Sequence, residues 1–277
     1  MSAFVTVYRE EYVAAFEQDF SVLRAMCTTH AQIKGNSAVF LVSGSGGATA
    51  VTRGVNGYIP YGDVSNTQNT CTLLEKHGPF AQTGFNIFAT QGDQKAIMQK
   101  ASRAVLNRDI DQAIIDQLDT ATLYTGTPVT ASIDLVAKAK TILGNNEVDL
   151  TDEDNLFAVI SPAFEAYLMQ AKEFASAEYV EIKAFAGKTK RMRRWYGVNW
   201  TTHPNLTGNA TATEKCYMFH RNAIGHAANM KEMQVAVGYD EMQDISWTRA
   251  SLFHGAKLLQ NSGVIGMRHD GSAYVSA

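Results

Sequence analysis

The chain has 277 residues, of which 45% are hydrophobic, 10% aromatic and 18% charged, and its formal net charge is −3. A chain of this length and composition buries roughly 70–75% of its unfolded surface in one or two cores, which excludes a disordered or fibrous protein. The slightly acidic balance gives the molecule as a whole no attraction for nucleic acid or an anionic membrane.

Cys27, Cys71 and Cys216 lie far apart and form no C-x-x-C pair. That pattern points to a reducing compartment and argues against a disulfide framework or a zinc knuckle. The sequons at Asn199, Asn205 and Asn209 read as chance, because the start M-S-A-F-V-T-V-Y-R-E-E-Y has neither the basic nor the apolar region of a secretory signal. No stretch approaches the ~18 uninterrupted apolar residues of a membrane span, so no membrane partner is expected.

Residues 8–28 have helical periodicity, with Tyr12, Phe16, Phe20, Leu23 and Cys27 on one stripe and Arg9, Glu10, Glu17, Gln18 and Arg24 opposite. A strand is predicted over 37–42, followed by a flexible joint at S-G-S-G-G, 43–47. From 50 to 88 the pattern is β and turns, read as a long hairpin with a polar tip at 64–70. This stretch holds too few aliphatic residues for a core of its own.

The clearest helix covers 93–119, capped by Asp93, with Ile97, Ala101, Ala104, Val105, Leu106, Ile110, Ala113, Ile114 and Leu118 on its apolar side. After the breaker T-G-T-P at 125–128, a helix is predicted over 132–143 and ends at Gly144. A strand follows over 156–160. Ser161 and Pro162 then open a helix as N-cap and first residue, running to about Phe174. Strands are predicted at 180–186, 192–200, 234–238 and 244–252, with a final hairpin turning at Asn261-Ser262-Gly263. The stretch 217–229 fits strand or helix.

Tests for chemistry return little. The glycine-rich S-G-S-G-G-A lacks the Lys-Ser/Thr of a P-loop and the third glycine of a dinucleotide fingerprint. No nucleophile elbow or Ser/His/Asp spacing occurs. Seven histidines show no metal-binding spacing. His254 and His269, in the closing strands, read as core or interface residues. The acidic run Glu147, Asp149, Asp152, Glu153, Asp154 lacks the glycine and distal glutamate of a calcium loop and reads as a solvated turn. No cofactor, metal or catalytic residue is expected.

The basic run K-T-K-R-M-R-R-W-Y-G-V-N-W at 188–200 has the composition of a nucleic-acid-binding strand. The preferred reading is an interface strand. Arg191, Arg193 and Arg194 would pair with carboxylates on a neighbouring subunit, and the tryptophans would be buried. Tyr58, Ile59, Pro60 and Tyr61, apolar residues on a polar hairpin, are the other candidate inter-subunit anchors.

The closing segment G-Y-D-E-M-Q-D-I-S-W-T-R-A-S-L-F-H-G-A-K-L-L-Q-N-S-G-V-I-G-M-R-H-D-G resembles the last strands of tailed-phage major capsid proteins of the Hong Kong 97 fold. The order of elements upstream is similar too, and R-R-W-Y-G-V-N-W-T-T-H-P-N-L-T-G resembles the axial-domain strand and loop of that family. The resemblance implies an α+β subunit with an N-terminal arm (1–49) and an extended β-hairpin E-loop (50–90). A spine helix of the peripheral (P) domain follows (91–122), then a mixed α/β axial (A) domain (123–235) and closing P-domain strands (236–277).

It also implies a structural, non-enzymatic role. The chain would assemble with itself into hexamers and pentamers of an icosahedral shell around viral double-stranded DNA, which it would touch non-specifically. Such a shell is built in the host cytoplasm and located in the virion, with scaffolding, portal and decoration proteins as separate partners. No position matches the family's Lys–Asn cross-link, so none is expected. An encapsulin-like cellular compartment and a nucleic-acid-binding protein using 188–200 are the alternatives.

Overall fold

A computed structural model describes residues 20–29, 32–89, 94–171, 193–229 and 234–274. The architecture is α+β, with twelve strands in three sheets and four α-helices among the described residues. The predicted helix over 8–28 lies outside the described residues up to position 19. Within its remainder, Leu23–Met26 is one 3-10 turn and Cys27 is extended.

The first sheet contains β1 (Gln32–Lys34), β2 (Ser37–Gly44) and β3 (Ser65–Thr72). Strands β2 and β3 pair antiparallel from Ser37 opposite Thr72 to Gly44 opposite Ser65. The long hairpin therefore spans 37–72, and its tip is the connection 45–64. The sequence reading placed the tip at 64–70, but S-N-T-Q-N-T is strand, because the ladder to β2 satisfies its backbone.

The second sheet carries β4 (Leu74–Thr83), β9 (Ile224–Ala228), β10 (Gln234–Asp240) and β11 (Ile245–Leu258). Its order is β10-β11-β4, with β9 on the far half of β11. A short α1 (Gly84–Ala89) leads towards α2 (Gln94–Leu118), which lies along β11 and β4. At 1.5 Å per residue α2 is about 38 Å long. Its buried side presents Met98, Ala104, Leu106, Ile110, Ile114, Ile115 and Leu118. Ile97, predicted on that side, is instead 41% exposed. The capping role of Asp93 falls outside the described residues.

The third sheet has the order β12-β8-β5-β7-β6, built from β5 (Leu156–Ile160), β6 (Arg193–Trp195), β7 (Val198–Thr202), β8 (Glu214–His220) and β12 (Val264–His269). Only β5 and β7 run parallel. All five β5 residues are buried, as expected of a central strand. Helix α3 (Ile133–Asn145) is capped by Ser132, whose Oγ accepts the Leu135 N–H at 3.3 Å. Helix α4 (Pro162–Gln170) begins as predicted, with Ser161 Oγ accepting the Phe164 N–H at 3.1 Å. It ends at Gln170, short of Phe174, which is outside the described residues, as is the predicted strand at 180–186.

The predicted strand over 192–200 is two strands joined by Tyr196 and Gly197. Both have positive φ, 55° and 68°. That is the two-residue turn whose twist matches a hairpin, and glycine supplies one of the two left-handed positions at no steric cost. The 217–229 ambiguity resolves as β8 and β9.

The final hairpin is not one. Strand β11 ends in the second sheet, and β12 pairs with β8 in the third. Both chain passages between these sheets turn through a 3-10 segment, Arg221–Ala223 and Asn261–Gly263. They are clasped where the Leu259 N–H donates to the Ala223 carbonyl at 2.8 Å. One continuous core joins the two sheets with α2, α3 and α4.

Candidate assembly interface

The foot of the β2–β3 ribbon is fixed by a small cluster of Ala38, Phe40, Cys71 and Ala227. Beyond it the burial ends, and every residue from Ser43 to Gln68 is exposed. A two-stranded ribbon bare on both faces has no core of its own and is marginal in water alone. Its connection is locally organised. The Gly54 N–H donates to the Tyr58 carbonyl at 2.9 Å, the Gly57 N–H to the Gly54 carbonyl at 2.8 Å, and Arg53 Nη1 to the Gly57 carbonyl at 3.0 Å. This small turn leads into Tyr58, Ile59, Pro60 and Tyr61, all exposed, Tyr58 by 80% and Tyr61 by 98%. The four predicted anchors thus lie together within the exposed stretch 43–68.

The arginines are not brought to them. Arg191, with Lys188 and Lys190, lies outside the described residues. Arg193 sits in β6 opposite Trp200, in a different sheet from the ribbon. Arg194 was expected to meet a neighbour's carboxylate, but its partners are its own chain's acidic turn. Nη2 lies 2.7 Å from Glu153 and Nη1 3.4 Å from Asp154. The tryptophan expectation holds for Trp200, which is buried and donates its indole N–H to the Trp195 carbonyl at 2.9 Å.

Three aspartates, Asp109 and Asp111 of α2 and Asp119 just past its end, tie the molecule together, and sequence reasoning missed them. Asp109 accepts from Lys76 of β4 at 3.3 Å and faces His254 of β11 at 2.8 Å. Asp119 accepts from the hydroxyls of Thr207 and Tyr217 and lies 3.5 Å from Lys215. Asp111 is fully buried. It accepts from the Ser21 hydroxyl at 2.5 Å, the Val22 N–H at 3.2 Å and the Leu23 N–H at 3.1 Å, and His203 Nε2 lies 3.4 Å away. The His203 Nδ1 accepts the Asn205 N–H, which leaves the proton on Nε2, facing the carboxylate. The helix thereby fixes the N-terminal segment, the second sheet and the 203–213 loop to one another.

Four histidines, His203, His226, His254 and His269, are buried, in line with the core reading of His254 and His269. The His226 and His254 rings lie 5.6 Å apart. Burial holds His226 down to about 3, assisted by the neighbouring His254. Burial also lowers His254 against the upward pull of Asp109, and lowers His269. These bases bind protons more readily unfolded than folded. Stability is therefore complete above about pH 6.5 and is lost as pH falls below it; for His226 the loss continues towards pH 3, at up to about 1.4 kcal/mol per pH unit. Unfolding midpoints in urea between pH 8 and 4.5 should show this fall, and His226→Leu should make it shallower.

The three cysteines are buried and unpaired. Burial raises the Cys27 thiol and pushes Cys216 up to about 12, so both are neutral core groups. Among the described residues, no cluster of three or more His, Cys, Asp or Glu is placed to hold a metal ion, and no helix is long and apolar enough to cross a membrane.

A sheet-backed spine helix, a projecting two-stranded ribbon and apolar residues bared at its tip define a protein of the shell-forming kind. The chain belongs to the phage capsid protein family, whose model matches residues 1–271. It is similar in fold to a solved structure from Mycobacterium phage Che8 (TM-score 0.73, 18% identity, covering 95% of this chain and 96% of that one). Similar too are the capsid of cyanophage P-SCSP1u (TM-score 0.69, 14% identity, 96% and 93% covered) and that of Ralstonia phage GP4 (0.66, 13%, 96% and 95%). No curated protein sequence was found similar to this one. The protein is a structural major capsid subunit, which assembles with copies of itself into the virion shell.

Proposed function

We propose that copies of this chain form the hexamers and pentamers of an icosahedral shell around double-stranded DNA. Residues 123–235 act as the axial domain, the 37–72 ribbon as the E-loop, and the residues before it, 1–36, as an arm over a neighbour. Assembly takes place in the host cytoplasm with separate scaffolding, portal and decoration proteins, and the packaged DNA is touched only non-specifically. The subunit acts through its surfaces and catalyses no reaction.

The observation that carries this reading is the ribbon, bare on both faces and tipped with Tyr58, Ile59, Pro60 and Tyr61. A neighbouring subunit supplies the cover it lacks, and many modest contacts multiply into a stable shell. Arg194, already held by Glu153 and Asp154, speaks against nucleic-acid binding through this strand.

The test is negative-stain electron microscopy with size-exclusion chromatography of the full chain, alone and with its scaffold. Closed shells or five- and six-fold rings are expected. The Tyr58→Ser/Tyr61→Ser variant should keep its melting temperature yet lose particles by about tenfold or more, the effect of removing two aromatic anchors per contact. Particle formation equal to the parent chain would remove the ribbon tip from the assembly contacts.

A further inference from the structure

The chain holds one Asn-Gly pair, Asn56-Gly57, and it stands in the connection of the ribbon. The pair belongs to a three-residue turn. The Gly57 N–H donates to the Gly54 carbonyl and the Gly54 N–H to the Tyr58 carbonyl, with Gly57 at φ 76°. A short hairpin loop often ends on such a left-handed residue, and glycine fills the position without strain. The same glycine leaves its amide nitrogen unshielded, since it has no Cβ and nothing lies within 4 Å of where one would stand.

Asn56 is exposed, and among the described residues its side chain has no hydrogen-bond partner. Its carboxamide carbon is therefore free to meet the Gly57 nitrogen. That nitrogen can attack Asn56 Cγ, giving its proton to solvent, while the side-chain nitrogen departs as ammonia with a proton from water. The product is a five-membered succinimide, which water opens at either carbonyl. One opening leaves aspartate at position 56. The other leaves isoaspartate, whose main chain runs through Cβ and Cγ and is longer by a carbon. The sum is asparagine plus water giving acid plus ammonia, with no oxidant or cofactor.

Only the turn restrains this closure. Gly54 holds the Gly57 N–H at 2.8 Å, and Arg53 Nη1 donates to the Gly57 carbonyl at 3.0 Å. Because the ribbon is bare on both faces, opening the turn costs little. The one Asp-Gly pair of the chain, Asp270-Gly271, is the contrast. Asp270 accepts the Ser272 N–H at 3.1 Å and its hydroxyl at 2.6 Å, and the buried Gly271 donates to the Thr211 carbonyl at 3.1 Å. There the same ring closure is held shut.

We infer that Asn56 is a self-modification site of the free subunit, converting through a succinimide to isoaspartate and aspartate, and that the product no longer presents Tyr58 and Tyr61 for docking. The extra main-chain carbon breaks the spacing between Gly54 and Tyr58, and the new carboxylate adds to an already acidic chain. The conversion stands on the turn alone; its bearing on docking rests on the shell reading above.

The test incubates the unassembled full chain beside a peptide of residues 52–59 in mildly alkaline buffer, reading position 56 by peptide mapping and isoaspartate-specific methylation. The chain should convert within about tenfold of the peptide's rate, as an exposed turn of low opening cost allows. Arg53→Ala should speed it about threefold or more by loosening the turn. Asn56→Gln should suppress it, because the longer side chain must close a six-membered ring, and Asp270 should stay unmodified. Particle yield from aged subunits should fall in step with the converted fraction, while the equally aged Asn56→Gln chain keeps its yield. Asn56 still intact once the peptide has fully converted would overturn the site. Full conversion with unchanged yield would overturn its bearing on docking. A parent chain that makes no particle under any scaffold condition would overturn the shell reading, and the reading at position 56 would still decide the conversion.

Discussion

The unassembled Gly78→Val chain should melt roughly 10 °C or more below the parent, because helix and sheet meet backbone to backbone at this position. Gly78 is paired with Ala250 across β4 and β11. A Cβ there would lie 2.6 Å from the Ser102 carbonyl oxygen and 3.2 Å from its Oγ. The Ser102 side chain is fully buried; its hydroxyl donates to the Gly78 carbonyl and accepts the Ala250 N–H at 2.7 Å. The obstacle is main chain in mid-helix and cannot rotate aside, so α2 must lift off the sheet and strand both of these hydrogen bonds. Overpacking and a broken buried hydrogen bond together come to about 3–5 kcal/mol. Ser102→Ala removes the bonds without the clash and should cost about 1–3 kcal/mol. Thermal melts of the two variants side by side separate the contributions. Equal losses would mean that the close approach itself carries no penalty.

What the sequence made legible follows from how local each signal is. Helix α2 was readable because its aliphatic residues recur at helical spacing without Gly or Pro, and α4 because Ser161-Pro162 is a complete start signal within two residues. The exposure of Tyr58, Ile59, Pro60 and Tyr61 was readable because their stretch holds too few aliphatic residues for a core, although the tip itself was set at 64–70 and lies at 45–64. Strand β3 was not, because S-N-T-Q-N-T has neither aliphatic alternation nor aromatic residues; its conformation comes from pairing with β2. The passage of β11 and β12 into different sheets was hidden for the same reason: Asn261-Ser262-Gly263 is an ordinary hairpin signal, and only β8 and β9 decide otherwise. Arg194 was recognised as an ion-pairing residue, yet its partner lies in an acidic turn some forty positions upstream. Tyr196-Gly197 did carry a turn signal, weakened because tyrosine seldom takes a left-handed φ.

Asp111→Ala should destabilise the chain by about 3–5 kcal/mol, the usual consequence of removing one side of a buried charged contact. Nothing in the sequence singles out this residue, since its partners stand about 90 positions away on either side, at 21–23 and at 203. Truncation leaves the Val22 and Leu23 N–H groups and the Ser21 hydroxyl without their acceptor and removes the carboxylate 3.4 Å from the buried His203 ring. Asp111→Asn keeps one acceptor oxygen and should lose less, about 1–3 kcal/mol. Urea unfolding ranks the two, and trypsin supplies a readout that global stability does not. If Asp111 holds the N-terminal segment on the spine helix, cleavage at Arg24 should become fast in Asp111→Ala under conditions where the rest of the chain stays folded. Equal protection of Arg24 in both chains would place the anchor of that segment elsewhere, in the pairing of Thr28 with Gly225.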